Sequence, residues 1–496
     1  MIVEELATQI MQTFGFVPTA DQAKATAVFS RFLLDRDGSS VMIMRGSAGT
    51  GKTSLAAAIV KTLVKLRQRV ILLAPTGRAA KVFSVNAGRP AFTIHRRIYR
   101  QKTFAGESTG FSLNDNMYHD TLFIVDEASM IANGGGGEGA VFGTGCLLDD
   151  MVSFVYGGHN CRMMIIGDMA QLPPVGEEES PALMADFMAG YGLKVYQCDL
   201  NEILRQASGS GILYNATEIR SMITHDEVTR LPKITFSGFA DIRMVPGGEL
   251  IDQLNSSYSE VGTDETIVIT RSNKRANAYN AGIRGMVLGR EEELTTGDML
   301  MVVRNNYYWT EKAAAEEKAL EDSSTGNGDE RKAESQALPF IANGDRAMVV
   351  RVRNLREFYS LHFADVWLQF PDYDNYEIMV TAVTDSLMAE APALTREQSE
   401  RLFNGVMEDY QDVPLKADRL KKVRQDPCYN ALQIKYAYAV TCHKAQGGQW
   451  AHIYVDQGYM TDDMLSPDYI HWLYTAFTRA TEKLFLVNWP KTQTEG

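Results

Sequence analysis

The chain is short of everything that marks a secreted, metal-stapled or membrane-embedded protein. Its 496 residues include five cysteines, Cys146, Cys161, Cys198, Cys428 and Cys442, an odd number with no C-x-x-C pair. That excludes a disulfide framework or a structural zinc site and points to reduced thiols in a cytoplasmic setting. The eight histidines show no metal-ligand spacing. No apolar run approaches the roughly 18 residues needed to span a bilayer. The opening MIVEELATQI carries Glu4 and Glu5 where a signal peptide needs basic residues, and Thr494-Glu495-Gly496 is no prenylation box. Excess positive charge is missing too: Lys and Arg number 49 against 62 Asp and Glu, a net charge of −13. This excludes a protein that coats nucleic acid or anionic membrane by bulk charge, but not an enzyme whose basic residues line one groove.

What is present is an ordinary folded composition, 45% hydrophobic and 22% charged, in a length that suits about three domains. Apolar runs at Val41–Met44, Val70–Ala74, Leu122–Val125, Met163–Ile166 and Val195–Cys198 read as buried strands. Helical segments such as Ser54–Leu66 and Arg78–Val85 lie between them. This alternation predicts βαβ units and a parallel sheet. It resumes with Thr266–Thr270, Lys274–Val287, His452–Val455, Tyr469–Ala480 and Leu484–Val487, which predicts a second α/β domain. The second domain is interrupted. Residues 311–336 carry eight acids and four bases and predict a helical excursion or mobile loop. Ala347–Val352, Ser360–Phe363, Val366–Phe370 and Tyr376–Val383 then alternate like strands of a small barrel, and residues 386–426 turn helical. Asn133–Gly139 is glycine-rich but lacks a following lysine, so it reads as a flexible surface insertion.

Chemistry concentrates first in Gly46-Ser47-Ala48-Gly49-Thr50-Gly51-Lys52-Thr53-Ser54, a G-x-x-x-x-G-K-[ST] loop between a strand and a helix. Glycines let the backbone turn tightly and aim N–H groups at phosphate oxygens. Lys52 reaches the β- and γ-phosphates, Thr53 holds Mg²⁺, and the helix N-terminus adds its dipole. Next, Leu122–Val125 ends in Asp126 and Glu127: the first suits the Mg²⁺ shell, the second the positioning and deprotonation of an attacking water. A third segment, Ile165-Ile166-Gly167-Asp168-Met169-Ala170-Gln171-Leu172-Pro173-Pro174-Val175-Gly176, places Gln171 as a γ-phosphate sensor on a proline-stiffened turn.

These last two strings resemble motifs II and III of superfamily 1 helicases, and further motifs follow in order. Thr19 and Gln22 are similar to the Q motif, whose glutamine contacts adenine. Ala74–Lys81, then Thr93-Ile94-His95, resembles motif Ia; Leu200–Gln206 resembles motif IV with Arg205 as a phosphate-contacting arginine. Tyr438–Gly447 is similar to motif V, and Tyr474–Ala480 to motif VI with Arg479 as the arginine finger. The resemblance is to the RecD- and Dda-type branch, subgroup B, and Asn343-Gly344-Asp345 before the strand-rich stretch looks like the start of its SH3-like domain.

The resemblance implies an α/β fold of two RecA-like parallel-sheet domains with a small SH3-like barrel insertion and a helical excursion. The domains would be 1–198, with a hairpin pin at about 96–120; 199–300 with 436–496; and an insert at 301–435. It implies an ATP- and Mg²⁺-dependent helicase that translocates on single-stranded DNA, 5′→3′, by closing a cleft between the two RecA-like domains. Pro75, Thr76, His95, Thr441, His443 and Lys444 would touch the strand, and Phe111 or Phe104 would wedge the duplex. Its partners would be single strands, single/double-strand junctions and a single-strand-binding protein, met by a monomeric motor with no membrane contact, in DNA repair or replication. A translocase or NTPase without unwinding is the alternative. A guanine-nucleotide switch is disfavoured because no N-K-x-D occurs; the nearest string is Asn273-Lys274-Arg275-Ala276.

Overall fold

A computed structural model describes residues 2–104, 107–134, 142–202, 209–225, 230–323 and 340–495; side chains at 101–110, 318–323 and 462 are outside the description. The fold is α/β, with parallel sheets and one small closed barrel. The chain packs as two units, Met1–Met244 with Ala445–Gln449 and Tyr459–Gly496, and Val245–Lys444 with Trp450–Gly458.

In the first unit the strands are β1 (Ser40–Gly46), β2 (Arg69–Ala74), β3 (Ala91–Thr93), β4 (Tyr99–Phe104), β5 (Glu107–Leu113), β6 (Thr121–Val125), β7 (Arg162–Gly167) and β8 (Lys194–Leu200). Six of them form one sheet in the order β3-β2-β6-β7-β1-β8. Its pairings are parallel: β1 lies between β7, with Val41 opposite Met163, and β8, with Val41 opposite Val195. All five apolar runs expected in the first two hundred residues are therefore strands. They read as unbroken apolar runs because helices cover both faces of a parallel sheet. Val41 through Met44 are fully buried, and Met42 and Met44 join Phe29, Ile59, Leu63 and Phe83 in one core. The sheet order puts the carboxyl ends of β1, β6 and β7 side by side, where an open α/β sheet builds its ligand site.

Strands β4 and β5 form the expected hairpin, with Tyr99 opposite Leu113 and Gln101 opposite Phe111.

In the second unit, Thr266–Thr270 lies between Ala439–Thr441 and Trp450–Asp456, all parallel. Met299–Val302, Arg346–Phe358, Leu361–Phe370, Tyr376–Val383 and Leu432–Tyr436 close into a barrel. Two runs expected as separate strands, Ser360–Phe363 and Val366–Phe370, are one strand, because Ala364 and Asp365 continue the ladder opposite Ala382 and Thr381. The acidic excursion begins as a helix, Tyr308–Ser323; the rest of it, 324–336, lies outside the described residues. Just before the barrel strand Met299–Val302, the buried Asp298 takes Arg284 at 3.0 Å and Arg290 at 2.6 Å.

Candidate active site

The phosphate loop leaves β1 at Gly46 and enters the helix Lys52–Lys65 at Gly51. Two features demand glycine. Gly51 has φ +80°, the left-handed region, and a Cβ on Gly46 would lie 2.9 Å from both Leu200 Cβ and Thr50 Oγ1. Lys52 Nζ folds back onto the loop, donating to Gly46 O at 2.5 Å and Ser47 O at 2.8 Å. Gln22 is fully buried under the loop. Its Nε2 donates to Thr50 O at 2.9 Å, and its Oε1 accepts from Thr19 N at 3.0 Å within the capping box of the Ala20–Leu33 helix. Gln22 thus fastens a helix start to the loop. Replacing it by Ala leaves one buried and one half-buried polar group unpaired, and chemical denaturation is expected to report about 1–3 kcal/mol of lost stability.

Beside the loop, Asp126 and Glu127 stand at the end of β6. Glu127 holds φ +54°, which turns its side chain off the strand line. Glu127 N donates to Asp126 Oδ1 at 2.9 Å. Burial and the neighbouring Glu127 hold the Asp126 carboxyl above the usual carboxylate range, while Lys52 and Arg479 act to lower it. Arg479 is 2% exposed and sits with Nη1 3.6 Å from Glu127 Oε1. Arg479 packs within the same unit as the phosphate loop.

The Asp168–Leu172 segment completes the wall. Its side-chain and backbone groups are tied to the helix Pro467–Phe477: Tyr474 donates to Asp168 Oδ2 at 2.7 Å, and Leu172 N donates to Thr475 Oγ1 at 2.8 Å. Gln446 Nε2 adds a bond to Leu172 O at 2.7 Å. Gln171, 5% exposed between these ties, has an Oε1 with no hydrogen-bond partner among the described residues. A buried amide oxygen without a partner costs free energy unless a ligand or water supplies the donor. Lys52, Thr53, Asp126, Glu127, Gln171 and Arg479 all line one cavity of about 410 Å³. Ser47, Ala48, Gly49, Gly51 and Ser54 line it too.

That donor set fits a nucleoside triphosphate with Mg²⁺. Among the described residues no group of three His, Cys, Asp or Glu could hold a metal alone. Mg²⁺ needs none, since it takes one or two protein oxygens and completes its shell with phosphate and water.

The other expected residues are dispersed. Pro75, Thr76 and His95 belong to the first unit, whereas Thr441, His443 and Lys444 belong to the second. Thr76 Oγ1 accepts from Ala79 N at 3.2 Å and caps the Gly77–Ala87 helix; a Cβ on Gly447 would lie 2.9 Å from the same oxygen. His95 packs against Phe142 at 4.9 Å, and burial pushes its pKa down to about 4, so it is a neutral ring at physiological pH. His443 is exposed; burial lowers the Lys444 ammonium pKa. Phe111 is 8% exposed, its ring 5.0 Å from Phe142. The Phe111 ring is thus packed against a neighbouring aromatic. The Phe104 side chain and the whole of Arg205 lie outside the described residues.

Two residues at the loop were not singled out by motif reading. Arg220 Nη1 donates to Ser47 Oγ at 2.7 Å, and Tyr474 Oη accepts from Ala48 N at 3.0 Å. Arg220 carries no local signal. Tyr474 lies inside the motif VI string, but nothing in its neighbours points to the loop.

Known proteins match this chain in the same places. A family model described as an AAA domain covers residues 19–231, and one described as a UvrD-like helicase C-terminal domain covers 436–487. The ATP-dependent DNA helicase Dda of Enterobacteria phage T4 is 26% identical over 265 residues, 52% of this chain and 55% of that protein. In these regions the chain is similar to the RecD/Dda-like helicases of superfamily 1B. Within these helicases, the ATP-dependent RecD2 DNA helicase of Deinococcus radiodurans is 29% identical over 180 residues, 36% of this chain and 21% of that protein. The chain thus spans about half the phage relative and a fifth of the bacterial one. A crystal structure of Pif1 helicase from Bacteroides, in complex with ADP-AlF3 and ssDNA, aligns with a TM-score of 0.46 at 15% identity, covering 97% of this chain and 95% of that one. Of the two regions matched by family models, the first holds the phosphate loop and the second holds Arg479.

Proposed function

We propose that this protein is an ATP-dependent DNA helicase that translocates on single-stranded DNA, 5′→3′, and opens duplexes at single/double-strand junctions. The observation that supports it most directly is the convergence of Lys52, Glu127, Gln171 and Arg479 on one cavity beside the phosphate loop. In this reading the loop amides and Lys52 bind the triphosphate, and Thr53 and Asp126 hold Mg²⁺. Bound there, Mg²⁺ neutralises charge on the transferring phosphoryl group. Gln171 Oε1 accepts a hydrogen bond from the attacking water and aligns it, and Glu127 takes its proton. Arg479 stabilises the charge that builds on the γ-phosphate oxygens. Gln22, which bonds Thr50 O, sets the loop's height. Hydrolysis releases the phosphate, and the Asp168–Leu172 segment and the Pro467–Phe477 helix pass that change to the strand-binding residues.

For the strand, Thr76, Thr441 and His443 would supply polar donors and Lys444 an ammonium, with Pro75 stiffening the chain before Thr76, as contact with a sugar-phosphate backbone requires. His95, neutral and packed, supports the hairpin rather than a phosphate. The domain limits 1–198, 199–300 with 436–496, and 301–435 belong to the same proposal, with hairpin β4–β5 as the pin. A single-strand-binding protein and a monomeric state are part of it as well. The 5′→3′ polarity rests on the family resemblance alone.

ATPase activity is expected to rise strongly on adding single-stranded DNA, and unwinding to require a 5′ tail among 5′-tailed, 3′-tailed and blunt duplexes. ATPase that ignores DNA would sink the reading. DNA-stimulated ATPase with no strand separation on any substrate would leave a translocase. Unwinding only from a 3′ tail would reverse the polarity.

A further inference from the structure

Tyr474 lies on the helix Pro467–Phe477. It is 1% exposed, and its hydroxyl is used twice: it accepts from Ala48 N in the phosphate loop at 3.0 Å and donates to Asp168 Oδ2 at 2.7 Å. Asp168 is itself 3% exposed, and its Oδ1 accepts from Ala170 N at 3.0 Å. The phenol therefore joins the loop to the start of the segment that carries Gln171. The next residue on the helix, Thr475, holds Leu172 N at the segment's other end. One turn earlier, His471 Nδ1 meets Ala170 O at 2.9 Å. The segment is thus grasped before, beneath and after Gln171 by three consecutive contacts from one helix face. Gln171 alone is left with a buried oxygen that no described residue satisfies, at the cavity wall.

We infer that Tyr474 is a positioning residue for Gln171: its hydroxyl couples the phosphate loop at Ala48 to Asp168 and so sets where the Gln171 oxygen stands. Nothing in this role needs Tyr474 to touch substrate. It requires the hydroxyl, which the ring alone cannot replace, and it requires Gln171 downstream. Burial and the adjoining Asp168 hold the phenol proton in place well beyond its ordinary pKa, so the hydroxyl remains a donor at every working pH. The inference rests on the ATPase reading above and adds to it which residue aims the γ-phosphate sensor.

The test is a double-mutant cycle in steady-state ATP hydrolysis, on the full chain with single-stranded DNA present. Tyr474→Phe keeps the ring and removes two buried hydrogen bonds. Its kcat is expected to fall about tenfold, with KM for ATP nearly unchanged, because the lost interaction acts on the reacting geometry and not on binding. On a Gln171→Ala background the same change is expected to alter kcat by less than about twofold, since residues acting as one unit are non-additive. A purely structural tyrosine would lower kcat by the same factor on both backgrounds. Such multiplicative losses, a rise in KM with kcat unchanged, or wild-type kinetics in Tyr474→Phe would each overturn the inference. Should Tyr474→Phe fail to fold, Thr475→Val enters the same cycle with the same expectation, because it removes the acceptor for Leu172 N. The two readings fail separately: a wild-type chain with no ATPase rejects the proposed function, whereas an active wild type with an additive cycle rejects only this role for Tyr474.

Discussion

Lys52→Ala is expected to lower ATP turnover by at least about a thousandfold, the range lost when a preorganised charge at the transition state is removed. In this structure Nζ is held by two carbonyls of its own loop, Gly46 O and Ser47 O. Both are neutral acceptors, so a triphosphate competes for the ammonium with full negative charge. Charge-assisted bonds are roughly twice as strong as neutral ones. The lysine is poised for that exchange because Gly46 lets the loop close tightly over it. Alanine removes the only cation on the loop itself and leaves the glycine-shaped backbone intact. Lys52→Ala should therefore remain folded, with an unchanged unfolding midpoint, while hydrolysis measured by phosphate release falls to background. Retained turnover would locate hydrolysis elsewhere.

Arg479→Ala is expected to cost about a thousandfold or more in the hydrolysis step, the magnitude of an arginine finger. The guanidinium is buried and held at three points by Thr475 O at 3.3 Å, Gly448 O at 3.3 Å and Thr478 Oγ1 at 3.5 Å. It faces Glu127 at 3.6 Å, a distance that leaves both charges able to turn toward a ligand in the cavity. Lysine cannot stand in, because one ammonium on a flexible stem does not reproduce a planar fork held at several points. Single-turnover hydrolysis, with nucleotide binding measured in parallel, separates the outcomes. The expected pattern for Arg479→Ala and Arg479→Lys alike is near-normal nucleotide binding with lost chemistry. Lost binding with residual chemistry in proportion would assign Arg479 to ground-state affinity instead.

The phosphate loop was legible in the sequence because its signals are local. Glycines at 46, 49 and 51 answer to backbone geometry, and apolar runs such as Val41–Met44 answer to burial on both faces of a sheet. Asp126 and Glu127 were legible for the same reason, since the end of a β-strand is a position that the chain itself defines. Phe111 was not. Period-2 alternation along β5 tells which side chains share a face, but Phe142, from another segment, covers the face that carries Phe111. His95 follows the same logic: its neighbours in sequence suggest a strand contact, whereas its neighbours in space, Phe142 and Tyr99, make it a neutral packed ring.

By itself, then, the sequence determined the α/β class, the glycine-rich loop after β1, the carboxylates at the end of β6 and the family that these motifs resemble. Each depends on dihedral preference, hydrophobic period or spacing within a few residues, quantities that the chain carries wherever it folds. Only the tertiary structure decided that Arg479 stands against Glu127, that Arg220 and Tyr474 reach Ser47 and Ala48, and that Gln171 is left with an unsatisfied oxygen at the cavity wall. Those facts arise from packing between segments hundreds of residues apart, where the position of a hydroxyl or a guanidinium is set by the burial of everything around it.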